Sequence, residues 1–219
     1  RRVMSRSTLR AESLPGGRLA RAAEVAAAAV PAPTAKSIKA AKKAAAAAAA
    51  PKGAGEIRII GGQWKRTRLP VAQRPGLRPT PDRVRETLFN WLGQDLAGWR
   101  CLDAFAGTGA LGLEAASRGA AQVRMVESDQ QLAAQLKQLV QKLGATTVEV
   151  ARGDALAALQ AGSRWDVIFL DPPFSGSLFE ASLKAAAKAL AEGGLIYLEA
   201  PEAWSEERLA EMGLELHRY

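Results

Sequence analysis

The segment Asp171-Pro172-Pro173-Phe174 closes the apolar run Val167-Ile168-Phe169-Leu170. A carboxylate and a backbone carbonyl held side by side at such a strand end can accept both hydrogens of a planar amino group. The amino group of a nucleobase is a poor nucleophile, because its lone pair is delocalised into the ring. Two fixed acceptors, the Asp171 carboxylate and the Pro172 carbonyl, favour a tetrahedral nitrogen with a localised lone pair. The two prolines keep those acceptors preorganised. Phe174 is placed to stack on an extruded base.

Upstream, Leu102-Asp103-Ala-Phe-Ala-Gly107-Thr-Gly109-Ala-Leu-Gly112-Leu-Glu114 reads as a strand, a glycine-rich turn and the start of a helix. Such a turn brings backbone close to a nucleoside cofactor. Asp103, four residues before Gly107, would repel a pyrophosphate but suits the cationic amino-acid end of S-adenosylmethionine. Glu127 ends the next apolar run and can accept both ribose hydroxyls. Asp154, in Arg152-Gly-Asp-Ala155, is placed for the adenine amino group. The chemistry these residues suit is methyl transfer to an exocyclic nitrogen, an in-line displacement at sulfonium driven largely by positioning.

The elements that must hold these groups follow from periodicity. Strands are expected at 100–105, 121–127, 146–151, 165–170 and 194–199, and helices near 110–118, 129–143, 154–161, 177–191 and 204–212, with Gly119, Gly144 and Gly193 as C-caps. Apolar strands alternating with amphipathic helices imply a parallel sheet covered on both faces. Ahead of it, Ile57 to Leu69 around Gly61-Gly62 reads as a hairpin. Thr80 then reads as the N-cap of a helix with Pro81 in its first position. Val84, Leu88, Trp91 and Leu92 form that helix's buried stripe, leaving Arg83 and Arg85 off the stripe to face a ligand.

Charge divides the chain. Residues 1–55 carry eleven Lys/Arg against two Glu, residues 56–100 nine against four, and residues 101–219 ten against sixteen. A basic front on an acidic body suits a polyanionic partner. Residues 1–55 are rich in Ala, Lys, Arg and Pro without an aromatic residue, and are expected to be a disordered basic tail. One cysteine, Cys101, and one histidine, His217, exclude an intrachain disulfide and give no basis for a metal cluster. No apolar stretch reaches the roughly 20 residues of a membrane span, so a cytoplasmic location is expected.

Both motifs, with Arg58-Ile-Ile-Gly-Gly-Gln-Trp-Lys-Arg66 and Arg78-Pro-Thr-Pro-Asp-Arg-Val-Arg-Glu-Thr-Leu-Phe-Asn-Trp-Leu92, closely resemble the bacterial 16S ribosomal RNA guanine-N2 methyltransferase family. The resemblance runs to about Tyr219. It implies a Rossmann-like class I methyltransferase fold, α/β with a doubly wound, mostly parallel sheet over 100–219, and a small N-terminal hairpin and helix over 56–99. It implies methylation of N2 of a guanine in a small-subunit rRNA stem-loop. Cofactor contacts are implied for Asp103, Phe105, Gly107, Gly109, Glu127, Asp154 and Ala155, and catalysis for Asp171, Pro172, Pro173 and Phe174. RNA contacts are implied for Arg58, Lys65, Arg66, Arg68, Arg78, Arg83 and Arg85. The implied partner is 16S rRNA within a partly or fully assembled 30S subunit, acted on by a monomer.

Residues 1–55 have no counterpart in the family pattern. Similar proteins also continue past Leu214–Tyr219 through a final antiparallel hairpin; residues 214–219 are still expected to pair as a sixth strand, with an edge left exposed. Two other readings compete. A DNA adenine-N6 methyltransferase shares the Asp-Pro-Pro-aromatic logic but needs a larger target-recognition region. A non-catalytic RNA-binding assembly factor should have lost Asp103, Glu127, Asp154 and Asp171.

Overall fold

Short β-branched and apolar runs bounded by turns, each followed by an amphipathic stretch, give the chain its alternation of strand and helix. The structure, a computed structural model, describes residues 2–7, 55–71, 77, 79–172, 177–200 and 203–218. Its strands are β1 (Arg2–Ser7), β2 (Glu56–Arg58), β3 (Arg68–Pro70), β4 (Arg100–Asp103), β5 (Gln122–Glu127), β6 (Val148–Arg152), β7 (Trp165–Leu170), β8 (Leu190–Ala200) and β9 (Glu215–Arg218). The helices are α1 (Asp82–Leu92), α2 (Ala110–Ser117), α3 (Gln130–Leu143), α4 (Ala155–Gln160), α5 (Ser177–Ala189) and α6 (Glu206–Ala210).

Seven strands form one sheet in the order β6-β5-β4-β7-β8-β1-β9, and each neighbouring pair is parallel. The chain steps outward from β4 to β6, then returns to β7 on the other side of β4. The switch in strand order therefore lies between β4 and β7, where an open α/β sheet forms its ligand crevice. β2 and β3 pair antiparallel as a separate hairpin.

Period-two alternation sends strand side chains to two cores. Cys101, Val123, Met125, Val167, Phe169 and Tyr197 pack under α1, α2 and α3. Leu102, Val126, Ile168, Leu170, Ile196 and Leu198 pack under α4, α5 and α6. The sheet is doubly wound, as expected. In α1 the buried residues are Val84, Arg85, Leu88, Phe89 and Leu92. Phe89, rather than Trp91, is the aromatic at its centre, with its ring 6.1 Å from that of Phe169. Full burial of such a side chain contributes about 1.5–3 kcal/mol.

Several expectations need correction. The disordered reading of residues 1–55 fails at Arg2–Ser7, which forms β1 between β8 and β9, with Val3 in one core and Met4 in the other. Residues 8–54 lie outside the described residues. The expected strand at 214–219 is present as β9, but it joins the sheet through β1 rather than through β8. The N-cap of α1 is Pro81, without a side-chain cap, and the helix starts at Asp82. Gly193 lies inside β8 instead of capping a helix, because pairing of Trp165 with Leu190 already starts the strand there.

Candidate active site

Parallel register fixes which strand-end side chains can meet. Asp103 aligns with Met125 on β5 and with Phe169 on β7, and Phe169 aligns with Tyr197 on β8. Two residues farther along, on the same face, come Glu127, Asp171 and Glu199. A row of carboxylates therefore stands one pleat above Asp103, at the carboxyl edge of the sheet beside the strand-order switch. Asp103, Glu127, Asp171 and Glu199 all line one cleft of about 750 Å³.

The glycine-rich turn closes one side of this cleft. Gly109 is the left-handed N-cap of α2, at φ 76°. Gly112, in the helix's first turn, donates its N–H to Asp103 Oδ2 at 2.9 Å. A Cβ on Gly112 would stand 2.7 Å from the Met125 side chain and 3.2 Å from Asp103 Oδ2, so only glycine lets α2 sit this close to β4 and β5. Glu127 is buried and doubly held. Its Oε2 accepts the Gly107 N–H at 2.9 Å and its Oε1 the Asp129 N–H at 2.8 Å. Asp154 caps α4, its Oδ1 accepting the Ala157 N–H at 2.8 Å.

Burial pushes the Asp103 carboxyl up to about 7, against the pull of the Gly112 N–H, and the charge of Glu127 adds to the rise. Asp171 is likewise raised to about 7, first by burial and then by the charges of Glu199 and Asp103. The cleft floor is thus poorly hydrated and rich in negative charge, an environment that favours a cationic ligand. Cys101 lies behind it, buried, with its thiol pushed up to about 12 by the same burial and by Asp166 and Asp103. It is an inert packing residue.

Among the residues singled out from sequence, Asp103, Phe105, Gly107, Glu127, Asp154, Ala155, Asp171 and Pro172 line the cleft together. Gly109 sits behind it as the helix cap. Pro173 and Phe174 lie outside the described residues. Sequence reasoning missed Glu199, which repeats the pattern of an acid closing an apolar strand, and it missed the wall formed by Leu77, Pro79, Thr80 and Pro81. These four residues follow the β2–β3 hairpin and precede α1 in the chain.

The basic front divides into two groups. Arg58, Lys65, Arg66, Arg68 and Arg83 are exposed, and Arg58 and Arg68 are register partners across the hairpin. Arg58 is salt-bridged to Asp82 at 2.9 Å and Arg68 to Glu56 at 3.3 Å. Arg78 lies outside the described residues. Arg85 is a correction: its side chain is 1% exposed and ion-paired to Glu114, so it faces the core and not a ligand. Its guanidinium also donates to the carbonyls of Thr80 and Arg58. The reason is chemical. Glu114, in the middle of α2, is itself fully buried and needs cationic partners, which Arg85 and Arg118 supply.

The parallel sheet, the glycine turn over Asp103, and the carboxylate row leading to Asp171-Pro172 define an S-adenosylmethionine-dependent class I methyltransferase. A cleft of this size falls in the range that encloses a nucleoside-sized ligand. Residues 57–218 match the family model described as conserved hypothetical protein 95 (Cons_hypoth95), and the chain belongs to that family. It is 45% identical over 168 residues to the ribosomal RNA small subunit methyltransferase D of Escherichia coli K12, covering 71% of this chain and 85% of that protein. The solved structure of the putative methyltransferase yhhF from Escherichia coli superposes with a TM-score of 0.60 at 43% identity, covering 65% of this chain and 79% of that one. The Thermus thermophilus 16S rRNA N2 G1207 methyltransferase, solved with AdoMet and guanosine, gives a TM-score of 0.58 at 27% identity, over 72% of this chain and 44% of that one. Among the described residues no helix is long and apolar enough to cross a membrane.

Proposed function

We propose that this protein methylates the exocyclic N2 of a guanine in 16S rRNA, acting in the cytoplasm as a monomer on a partly or fully assembled 30S subunit. The observation that carries this reading is the position of Asp171-Pro172 in the cleft that also holds Asp103 and Glu127. S-adenosylmethionine supplies an electrophilic methyl group on a cationic sulfur. In this reading Asp103, Glu127 and Asp154, with Phe105, Gly107 and Ala155, hold the cofactor. Asp103 complements its cationic end, and Glu127 and Asp154 accept from its hydroxyl and amino groups. Asp171 and the Pro172 carbonyl accept the two hydrogens of the target amino group. Asp171 is also suited to take the proton that N2 must lose, because its carboxyl is raised to about 7.

The exposed basic residues Arg58, Lys65, Arg66, Arg68 and Arg83 precede or flank the 77–81 wall, so a phosphate backbone bound by them would run toward the cleft mouth. Such contacts position RNA without reading its sequence. The test is methyl transfer from labelled S-adenosylmethionine to 30S particles lacking the modification, with nucleosides of the product resolved by chromatography. N2-methylguanosine in 16S rRNA is the expected product. Label in N6-methyladenosine, or only in DNA substrates, would overturn the reading.

A further inference from the structure

Cofactor binding and the acceptor pair at the amino group leave one carboxylate of the row without a role. Glu199 lies next to Asp171 in space, because Leu170 and Leu198 are register partners on parallel β7 and β8 and each acid follows directly. Neighbouring strands stand about 4.8 Å apart, so the two carboxyl groups enter the cleft as adjacent acceptors. Both line it, Glu199 on the side of Asp171 away from Glu127. Tyr197, buried two residues earlier on the same face, points its hydroxyl toward Glu199 Oε2 at 3.5 Å. The charge of Glu199 is also felt by Asp171, where it adds to the effect of burial.

Two adjacent acceptors match one nucleobase edge best. Guanine offers neighbouring donors, N1–H and the N2 amino group. Adenine and cytosine place a ring nitrogen lone pair beside their amino group, and a carboxylate facing that lone pair is repelled. We propose that Glu199 is a specificity-determining residue that accepts the N1–H of the target guanine while Asp171 and Pro172 hold N2. A hydrogen bond from N1–H to a carboxylate also shifts electron density toward N2. Glu199 thus separates guanine from adenine in a cleft whose Asp-Pro-Pro motif alone would serve either base. The inference rests on the guanine-N2 reading above.

The test compares methyl transfer to reconstituted 30S particles carrying guanine or 2-aminopurine at the target position. 2-Aminopurine keeps the N2 amino group and replaces N1–H with a lone pair. The wild-type enzyme should favour guanine by about 100-fold in kcat/KM, the scale of one hydrogen bond to a charged group. Glu199→Gln, whose amide can turn to donate, should reduce that ratio at least tenfold while the dissociation constant for S-adenosylmethionine stays unchanged. A wild-type enzyme indifferent to 2-aminopurine, or a variant that slows both substrates equally, overturns the assignment and leaves the guanine-N2 reading intact. Absence of N2-methylguanosine from the guanine particles overturns that reading and this inference together.

Discussion

The Arg85 guanidinium meets the Glu114 carboxylate at 3.3 Å, with the two side chains 1% and 0% exposed. This pair joins α1 to the middle of α2, and it does more than neutralise charge. Glu114 Oε2 also accepts the Ile60 N–H and Oε1 the Gly61 N–H, at 2.8 and 2.7 Å. Arg118 closes on Oε1 at 2.8 Å while its guanidinium lies over the Phe89 ring. The basic hairpin, α1 and the cofactor-side helix therefore share one buried hub. The hub fixes the hairpin relative to the glycine turn.

Removing the charge at the hub should be costly. Glu114→Gln takes the carboxylate from buried Arg118 and leaves Arg85 paired to Asp82 at 2.6 Å, and loss of one partner from a buried pair costs about 3–5 kcal/mol. Urea unfolding should show a loss of this size. Hydrogen exchange at the Ile60 and Gly61 amides should accelerate more than at Val167 in the central strand. A stability change below about 1 kcal/mol would mean that the network is not coupled as the geometry implies.

Parallel strands and cofactor turn were legible in the sequence because each is written locally. Val167 to Leu170 and Leu195 to Leu198 are continuous apolar runs, and Gly107, Gly109 and Gly112 mark the turn. Arg85 was not legible. Its neighbours give it a surface look, and its burial depends on Glu114, 29 residues away. β1 was hidden for a similar reason: Val3 and Met4 are too short an apolar signal to mark a strand without the slot between β8 and β9. Glu199 carried the same pattern as Glu127 and Asp171, an acid closing an apolar strand, but its place beside Asp171 depends on the pairing of β8 with β7, which the sequence does not write locally.

Asp171 should control the acid limb of activity. Its carboxyl is raised to about 7, so protonation on the acid side of neutrality removes the acceptor and turnover should rise with pH through that region. Asp171→Asn should lower kcat by about 10²–10⁴-fold, the usual worth of a positioned proton acceptor, and flatten the limb. Affinity for S-adenosylmethionine should be retained. A pH–rate profile that keeps the same limb in the variant would assign it to another group.

Stability of the cofactor-free protein should depend on pH in the opposite sense from most proteins. Asp103 and Asp171 both have folded values near 7 against an ordinary 3.8. The folded state therefore holds more protons than the unfolded state between those limits. Their contribution is full below about 4 and is lost as pH rises through about 7. Thermal midpoints should fall over this interval. A cation seated against Asp103 restores its ionised form, so cofactor binding near pH 6.5 should release protons. Binding enthalpies measured in buffers of different ionisation enthalpy should diverge accordingly, and buffer-independent enthalpies would place the cationic end elsewhere.

Arg66 offers a test of the proposed RNA surface that separates charge from folding. It is exposed at the hairpin turn with φ 71°, a left-handed conformation that costs a non-glycine residue about 1–2 kcal/mol. Its N–H donates to the Ile59 carbonyl at 2.7 Å, so the backbone is held there regardless of side chain. Arg66→Gly removes the charge and eases the backbone together. The variant should be at least as stable as the wild type, yet bind RNA more weakly. For one lost phosphate contact, the slope of log affinity against log salt should shrink by about 0.7–0.9. Equal salt slopes with unchanged affinity would show that Arg66 keeps its strained conformation for a reason other than RNA.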